Sequence, residues 1–184
     1  SSPAATLAAH ADNILCMALS HDGKLLATGG ADNAAKIWNI TQRRELAKLE
    51  GHTNHVLGIA FNKEDTWLAT GGSDKELKVW DIAQKQQIIL LGGKNSVITS
   101  LHWTADGKKL IATDDEGAAR VYSGFKTHDG VRYGAGDAAK ESKLQTADTM
   151  LHAATATADG GIIFAGSEDG IVFAWGRDGN LAKL

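Results

Sequence analysis

A chain of 184 residues that is 43% apolar and 22% charged suits a packed globular protein. Its formal net charge of −3 gives no reason for broad attraction to nucleic acid or anionic membrane, and no run approaches 18 apolar residues. One cysteine rules out a disulfide framework, and 21 glycines against one proline suit a turn-rich all-β fold.

In chain order, Leu7-Ala8-Ala9-His10 aligns with Leu49-Glu50-Gly51-His52, so residues 4–8 of a 1–10 segment read as the outermost strand of a preceding unit. Residues 11–51 then form a first unit: an apolar run Ile14–Leu19, an Asp22-Gly23 turn, and the phrase LLATGGADNAAKIWNI. A last strand, Glu45–Leu49, completes it. Each such phrase holds an apolar run, a Gly/Asp-rich turn and a second run ending on a ring, which is two antiparallel strands joined tightly. A second unit, 52–93, repeats the plan with Val56–Phe61, Lys63-Glu64-Asp65 in place of the Asp-Gly turn, WLATGGSDKELKVWDI and Gln87–Leu91. The third, 94–146, has Ile98–Trp103, Asp106-Gly107, LIATDDEGAARVY and a strand at Lys143–Gln145. It carries an insertion at 123–142. The fourth, 147–184, has Leu151–Thr157, Asp159-Gly160, IFAGSEDGIVFAW and Leu181–Leu184. Cys16 lies within an inner-strand pattern and reads as a small core residue.

The pairs Asp32…Trp38, Asp74…Trp80 and Glu116…Tyr122 recur every 42 residues, and Asp169…Trp175 follows 53 later. A period in the low forties with four strands per unit predicts an all-β β-propeller of four-stranded antiparallel blades, four of them present.

Gly51-His52 and Trp80-Asp81, with Trp38-Asn39 as a near-match, give the chain a resemblance to the WD-repeat family of propellers over roughly residues 4–184. That resemblance implies a buried relay of His, Ser or Thr, Asp and Trp in each blade. The matching positions are His10, Thr28, Asp32 and Trp38 in the first blade, and His52, Thr70, Asp74 and Trp80 in the second. A carboxylate inside a sheet needs donors, and imidazole, hydroxyl and indole N–H supply them. The third blade offers Lys94, Ala112, Glu116 and Tyr122, with Glu116 paired to Lys94. The fourth offers Ala147, Ala165, Asp169 and Trp175, which leaves Asp169 to water or backbone.

Propellers of this family usually close with seven or eight blades, so the ring is expected to be incomplete or closed by a second chain. Three readings stay open: a piece of a larger propeller completed by further blades, a homodimer closing an eight-bladed ring, and four blades closing on themselves. The resemblance further implies a non-catalytic scaffold for protein or peptide partners. Its usual contact positions map to Asn13, Leu15 and Ala31; His55, Leu57 and Ser73; Val97, Thr99 and Asp115; Met150, His152 and Glu168. Within the insertion, Lys126, His128, Arg132 and Tyr133 could dock a carboxylate or phosphate. The phrase ARVYSGFKTHDG is similar to propeller modules of large bacterial proteins that also carry cytochrome-like domains. An alternative is therefore a module attached to a catalytic or redox domain, or a propeller with its own small-ligand or hydrolase activity.

No cofactor or metal is expected. Cys-x-x-Cys-His is absent, and so are Gly-x-Ser-x-Gly and the Asp-x-Asp-x-Asp-Gly run of a calcium loop. His52 and His55 lie three apart but lack a third ligand. Gly71-Gly72-Ser73-Asp74 and Gly166-Ser167-Glu168-Asp169 read as turns whose glycines supply positive φ. Trp103 reads as core, whereas Trp67, heading its strand, reads as a candidate for exposure.

Overall fold

The computed structural model of the chain describes residues 6–91, 95–125, 140–144 and 147–183. They form sixteen strands in four antiparallel sheets. The first sheet comprises β1 (Ile14–Leu19), β2 (Leu25–Gly30), β3 (Ala35–Asn39) and β4 (Arg44–Leu49), in that spatial order. The second has β5 (Val56–Phe61), β6 (Trp67–Gly72), β7 (Leu77–Asp81) and β8 (Gln86–Leu91). The third has β9 (Ile98–Trp103), β10 (Lys109–Asp114), β11 (Ala119–Ser123) and β12 (Lys140–Lys143). The fourth has β13 (Leu151–Ala156), β14 (Ile163–Ser167), β15 (Val172–Trp175) and β16 (Leu181–Lys183). Each sheet is a simple meander, as a propeller blade requires. Among the described residues the sheets do not close into a ring.

Alternation along the strands sorts side chains to two faces, and each seam between sheets uses opposite faces of its neighbours. Ala27, Ala35 and Ile37 of the first sheet receive Ile59, Phe61, Leu68 and Trp80 of the second. One sheet along, Ala69, Leu77 and Val79 receive Leu101, Trp103, Leu110 and Tyr122. Then Ile111, Ala119 and Val121 receive Ile163, Trp175 and the smaller Ala154 and Ala156. Ring position and strand register recur in all three seams.

Several expectations need correction. β12 begins at Lys140, inside the stretch read as insertion, because the ladder with β11 starts there, at the pair Ser123 and Lys140. Trp67 is buried, edge-on to Phe125 at 6.4 Å, while Phe125 also lies 4.7 Å from Trp103. Thr6–His10 form no strand, and residues 1–5 lie outside the described residues. Gly71, Gly72 and Gly166 do not supply positive φ; in the turns between second and third strands that falls to Asn33, Lys75, Gly117 and Gly170. Gly72 is needed for close approach instead: a Cβ there would lie 1.9 Å from the His55 carbonyl oxygen.

Candidate functional site

Two polar relays brace one end of the first two sheets. In the second sheet, the Trp80 indole N–H donates to Thr70 Oγ1 at 2.7 Å. Thr70 Oγ1 lies 2.7 Å from His52 Nε2, and His52 Nδ1 lies 2.7 Å from the Asp74 carboxylate. Asp74 can only accept, so Nδ1 carries the proton, Nε2 accepts from the threonine hydroxyl, and every polar atom in the chain is used. Asp74 also accepts from the backbone N–H groups of Thr53 and Glu76, at 3.1 and 3.2 Å. The first sheet repeats this with Trp38, Thr28, His10 and Asp32 at 3.0, 2.7 and 2.8 Å. Both nitrogens of His52 are thus engaged, and His55 is exposed apart from it.

The third and fourth sheets solve the same problem differently. Glu116 is exposed, and the buried carboxylate is Asp114, two residues earlier on β10. Asp114 accepts from Ser96 Oγ at 2.9 Å, from Arg120 Nη2 at 2.9 Å and from Ala118 N–H at 2.7 Å. Lys94, the expected partner of Glu116, lies outside the described residues. Arg120 points inward from β11 on the same face as Tyr122, so the cation arrives from a strand rather than from the loop ahead of it. Asp169 is exposed and takes the Ser167 hydroxyl, so it is a turn carboxylate and not a buried one. Trp175 is fully buried in the third seam.

These braces hold four turns beside four inner-strand starts. In each sheet the residue ahead of the inner strand accepts a backbone hydrogen bond from the turn. Ala31 donates to Asn13, Ser73 to His55, Asp115 to Val97 and Glu168 to Met150, at 2.9, 2.9, 3.1 and 3.0 Å. Two positions further along, every inner strand carries a β-bulge. Ile14 pairs with Gly30 and Cys16 with Gly29, which skips Leu15; the same slip skips Leu57, Thr99 and His152. A bulge leaves its extra residue outside the ladder and re-aims the side chain.

The four bulge residues share one cavity of about 480 Å³ with Val97, Asp115 and Met150. All seven are contact positions expected from the sequence, and all four sheets contribute. Asn13, Ala31, His55, Ser73 and Glu168 stand outside this cavity's wall. Leu15, Leu57, Val97 and Met150 make its lining chiefly apolar. Asp115 and His152 are its ionisable groups, with Asp115 steadied by the Val97 N–H at 2.7 Å. The Thr99 hydroxyl donates to the Leu151 carbonyl, which ties the third sheet to the fourth at the rim. The bulges carry no sequence signal: Leu15, Leu57, Thr99 and His152 share neither charge, size nor branching. Lys126, His128, Arg132 and Tyr133 lie outside the described residues. Among the described residues, no cluster of three or more His, Cys, Asp or Glu could hold a metal ion.

Burial pushes the His52 imidazole below its ordinary range, and the nearby Asp74 carboxylate only partly offsets this. Burial alone depresses His102. At Asp32 and Asp65 burial acts upward but is outweighed. His10 and the Ala11 N–H hold Asp32 down, and the His21 backbone and ring hold Asp65 down. Below about pH 6.5 an unfolded chain protonates these histidines while the folded chain resists, so stability must fall there. The depressed carboxylates add stability that is present above about pH 4 and lost as pH drops through their lower folded values. The urea midpoint is therefore expected to be level above pH 7, to decline below 6.5 and to decline again below 4. His102→Gln should shrink the first decline, and a midpoint level from pH 7.5 to 5 would contradict the assignment.

Comparison with known proteins agrees with this architecture. A family model described as "WD domain, G-beta repeat" matches residues 1–39 and 43–81, the stretches holding the two complete relays. The transcription factor unc-37 of Caenorhabditis elegans is 46% identical over 43 residues, which is 23% of this chain and 7% of that protein. The chain therefore spans a small part of the relative it matches. Residues 1–39 and 43–81 thus match two WD repeats, each holding one His–Thr–Asp–Trp relay, within a chain of four meandering sheets.

Proposed function

We propose that the chain is a non-catalytic docking module that takes an extended segment of a protein partner at the mouth between its inner strands. WD-repeat proteins are in general interaction scaffolds. The observation that carries the reading for this chain is the convergence of all four bulge residues on one mainly apolar cavity. Leu57 and Met150 offer surface for an apolar side chain, and Asp115 offers an acceptor for a cationic or hydrogen-bond-donating group beside it. Interfaces of this kind concentrate their affinity in a few central anchors. Two ends of one peptide could thus be read at once, one by burial and one by charge.

Selection of a displayed random-peptide library against the whole chain tests this. Enriched peptides should combine an aliphatic or aromatic residue with a nearby Lys or Arg. Leu57→Asp should weaken them at least tenfold, and Asp115→Asn should weaken the basic peptides selectively. Selected peptides that bind both variants as well as the parent chain would place docking elsewhere and overturn the proposal.

A further inference from the structure

The acids around the mouth divide unevenly between its two halves. On the side of the first and second sheets, most carboxylates of the turns and of the segments leading into the inner strands are already engaged. Asp32 is held by His10 and Asp74 by His52, while Glu50 pairs with Lys48 and Glu76 with Lys78. Lys75, in the second-sheet turn, adds an exposed cation. Asp12 is the acid left over, and it accepts from the Asn13 N–H at 2.7 Å.

The third and fourth sheets place Asp115, Glu116, Asp148, Glu168 and Asp169 at the same end. Backbone contacts gather them into one strip. The Ala147 N–H donates to the Gly117 carbonyl at 2.8 Å, so the segment holding Asp148 lies against the turn holding Asp115 and Glu116. Glycine admits this approach: a Cβ on Gly117 would stand 2.0 Å from the Ala147 carbonyl oxygen. The Glu168 N–H donates to the Met150 carbonyl and brings the fourth-sheet turn to the other end of that segment. Asp115 and Met150 both line the apolar cavity, so the acidic strip runs directly out of its wall.

Among the described residues no cation pairs with any of these acids. Arg120 is taken by Asp114 and Glu141, and Arg177 by Asp159. Asp115 holds the Val97 N–H and Asp169 the Ser167 hydroxyl, but the side chains of Glu116, Asp148 and Glu168 hold no hydrogen bond among the described residues. Like charges gathered in this way repel, and solvent screens that cost without removing it.

We propose that the segment docking at the mouth carries a basic tract on one side of its apolar anchor and runs outward over the third and fourth sheets, where its lysines or arginines neutralise the strip. The inference rests on peptide docking at the mouth and adds to it the polarity of the partner and the direction it takes. Apolar burial at Leu57 and Met150 and neutralisation beyond Asp115 then act at adjoining places on one partner segment. Charge complementarity of this kind works chiefly on association rate and partner choice, and it weakens with salt.

Fluorescence anisotropy at pH 7.5 reads the outcome, with the tightest peptide from the displayed library as the probe. Glu116→Gln, Asp148→Asn and Glu168→Gln, combined in one chain, should weaken that peptide about tenfold at roughly 50 mM salt and no more than about threefold at roughly 500 mM. Asp12→Asn, on the other half of the mouth, should leave it unchanged. All of these residues are exposed, and a urea midpoint no lower than that of the parent shows each variant folded. A tightest peptide without a basic residue, a loss that does not shrink with salt, or an equal loss from Asp12→Asn would each overturn the inference. Calcium alone, followed by calorimetry, binding the parent chain but not the triple variant would make the strip a cation site and overturn it as well. Leu57→Asp separates this inference from the reading beneath it. If that change weakens the peptide while the triple variant does not, docking at the mouth stands and the basic partner falls; if neither weakens it, both fall.

Discussion

Replacing Thr70 with valine is expected to cost on the order of 3 kcal/mol of folding stability, one of the two largest losses foreseen for a single substitution of this chain. Valine keeps the volume and the β-branched shape, so the change isolates the hydroxyl. That hydroxyl is the hub of the relay: it receives the Trp80 indole and gives its own proton to His52. Thr70, Trp80 and His52 are all buried, so water cannot replace what is lost and two polar groups are orphaned together. The matching change Thr28→Val should cost less, because the Asp32 carboxylate is 16% exposed where Asp74 is 2%. Urea unfolding followed by tryptophan fluorescence measures both. A Thr70→Val loss below about 1 kcal/mol would mean that the relay is ornamental to stability.

The second large effect belongs to the third sheet, where Asp114→Ala should destabilise by about 3–5 kcal/mol. The carboxylate and Arg120 are both buried, and removing the acid leaves the guanidinium inside the protein with the Glu141 carboxylate, at 3.3 Å, to offset its charge. Arg120 Nε already lacks a partner among the described residues. The reverse truncation, Arg120→Met, should cost clearly less, because Asp114 keeps Ser96, Ala118 and Glu116 as donors. The order of the two losses in urea denaturation is the informative quantity. If Arg120→Met cost more than Asp114→Ala, the arginine would be held by something other than this acid.

The asymmetry between sheets also explains which features were legible in the residues alone. The period of 42 placed the strands of the first two sheets to within one residue, because each apolar run and each ring reports directly on burial. The relays of those sheets were legible for a related reason: His, Thr, Asp and Trp at fixed offsets have few other uses together. Register alone failed at Glu116. The third sheet moved its buried acid two residues back, to the end of a strand, and drew its cation from β11, so the offset no longer marked the role. Trp67 misled because its cover, Phe125, comes from a segment that looks like loop. The bulges were not legible, since a skipped residue in a ladder is a property of two strands and leaves no mark on either.

Those bulges bear on how such a surface can diversify. Leu, Leu, Thr and His occupy equivalent bulge positions on sheets whose neighbouring core positions stay apolar. The extra residue is excused from the pleat, so its chemistry is not set by the ladder, although Thr99 also spends its hydroxyl on the neighbouring sheet. Four such positions around one opening amount to a small combinatorial alphabet. A lineage could rewrite the word it spells one letter at a time, and the scaffold would not need to be renegotiated at each step.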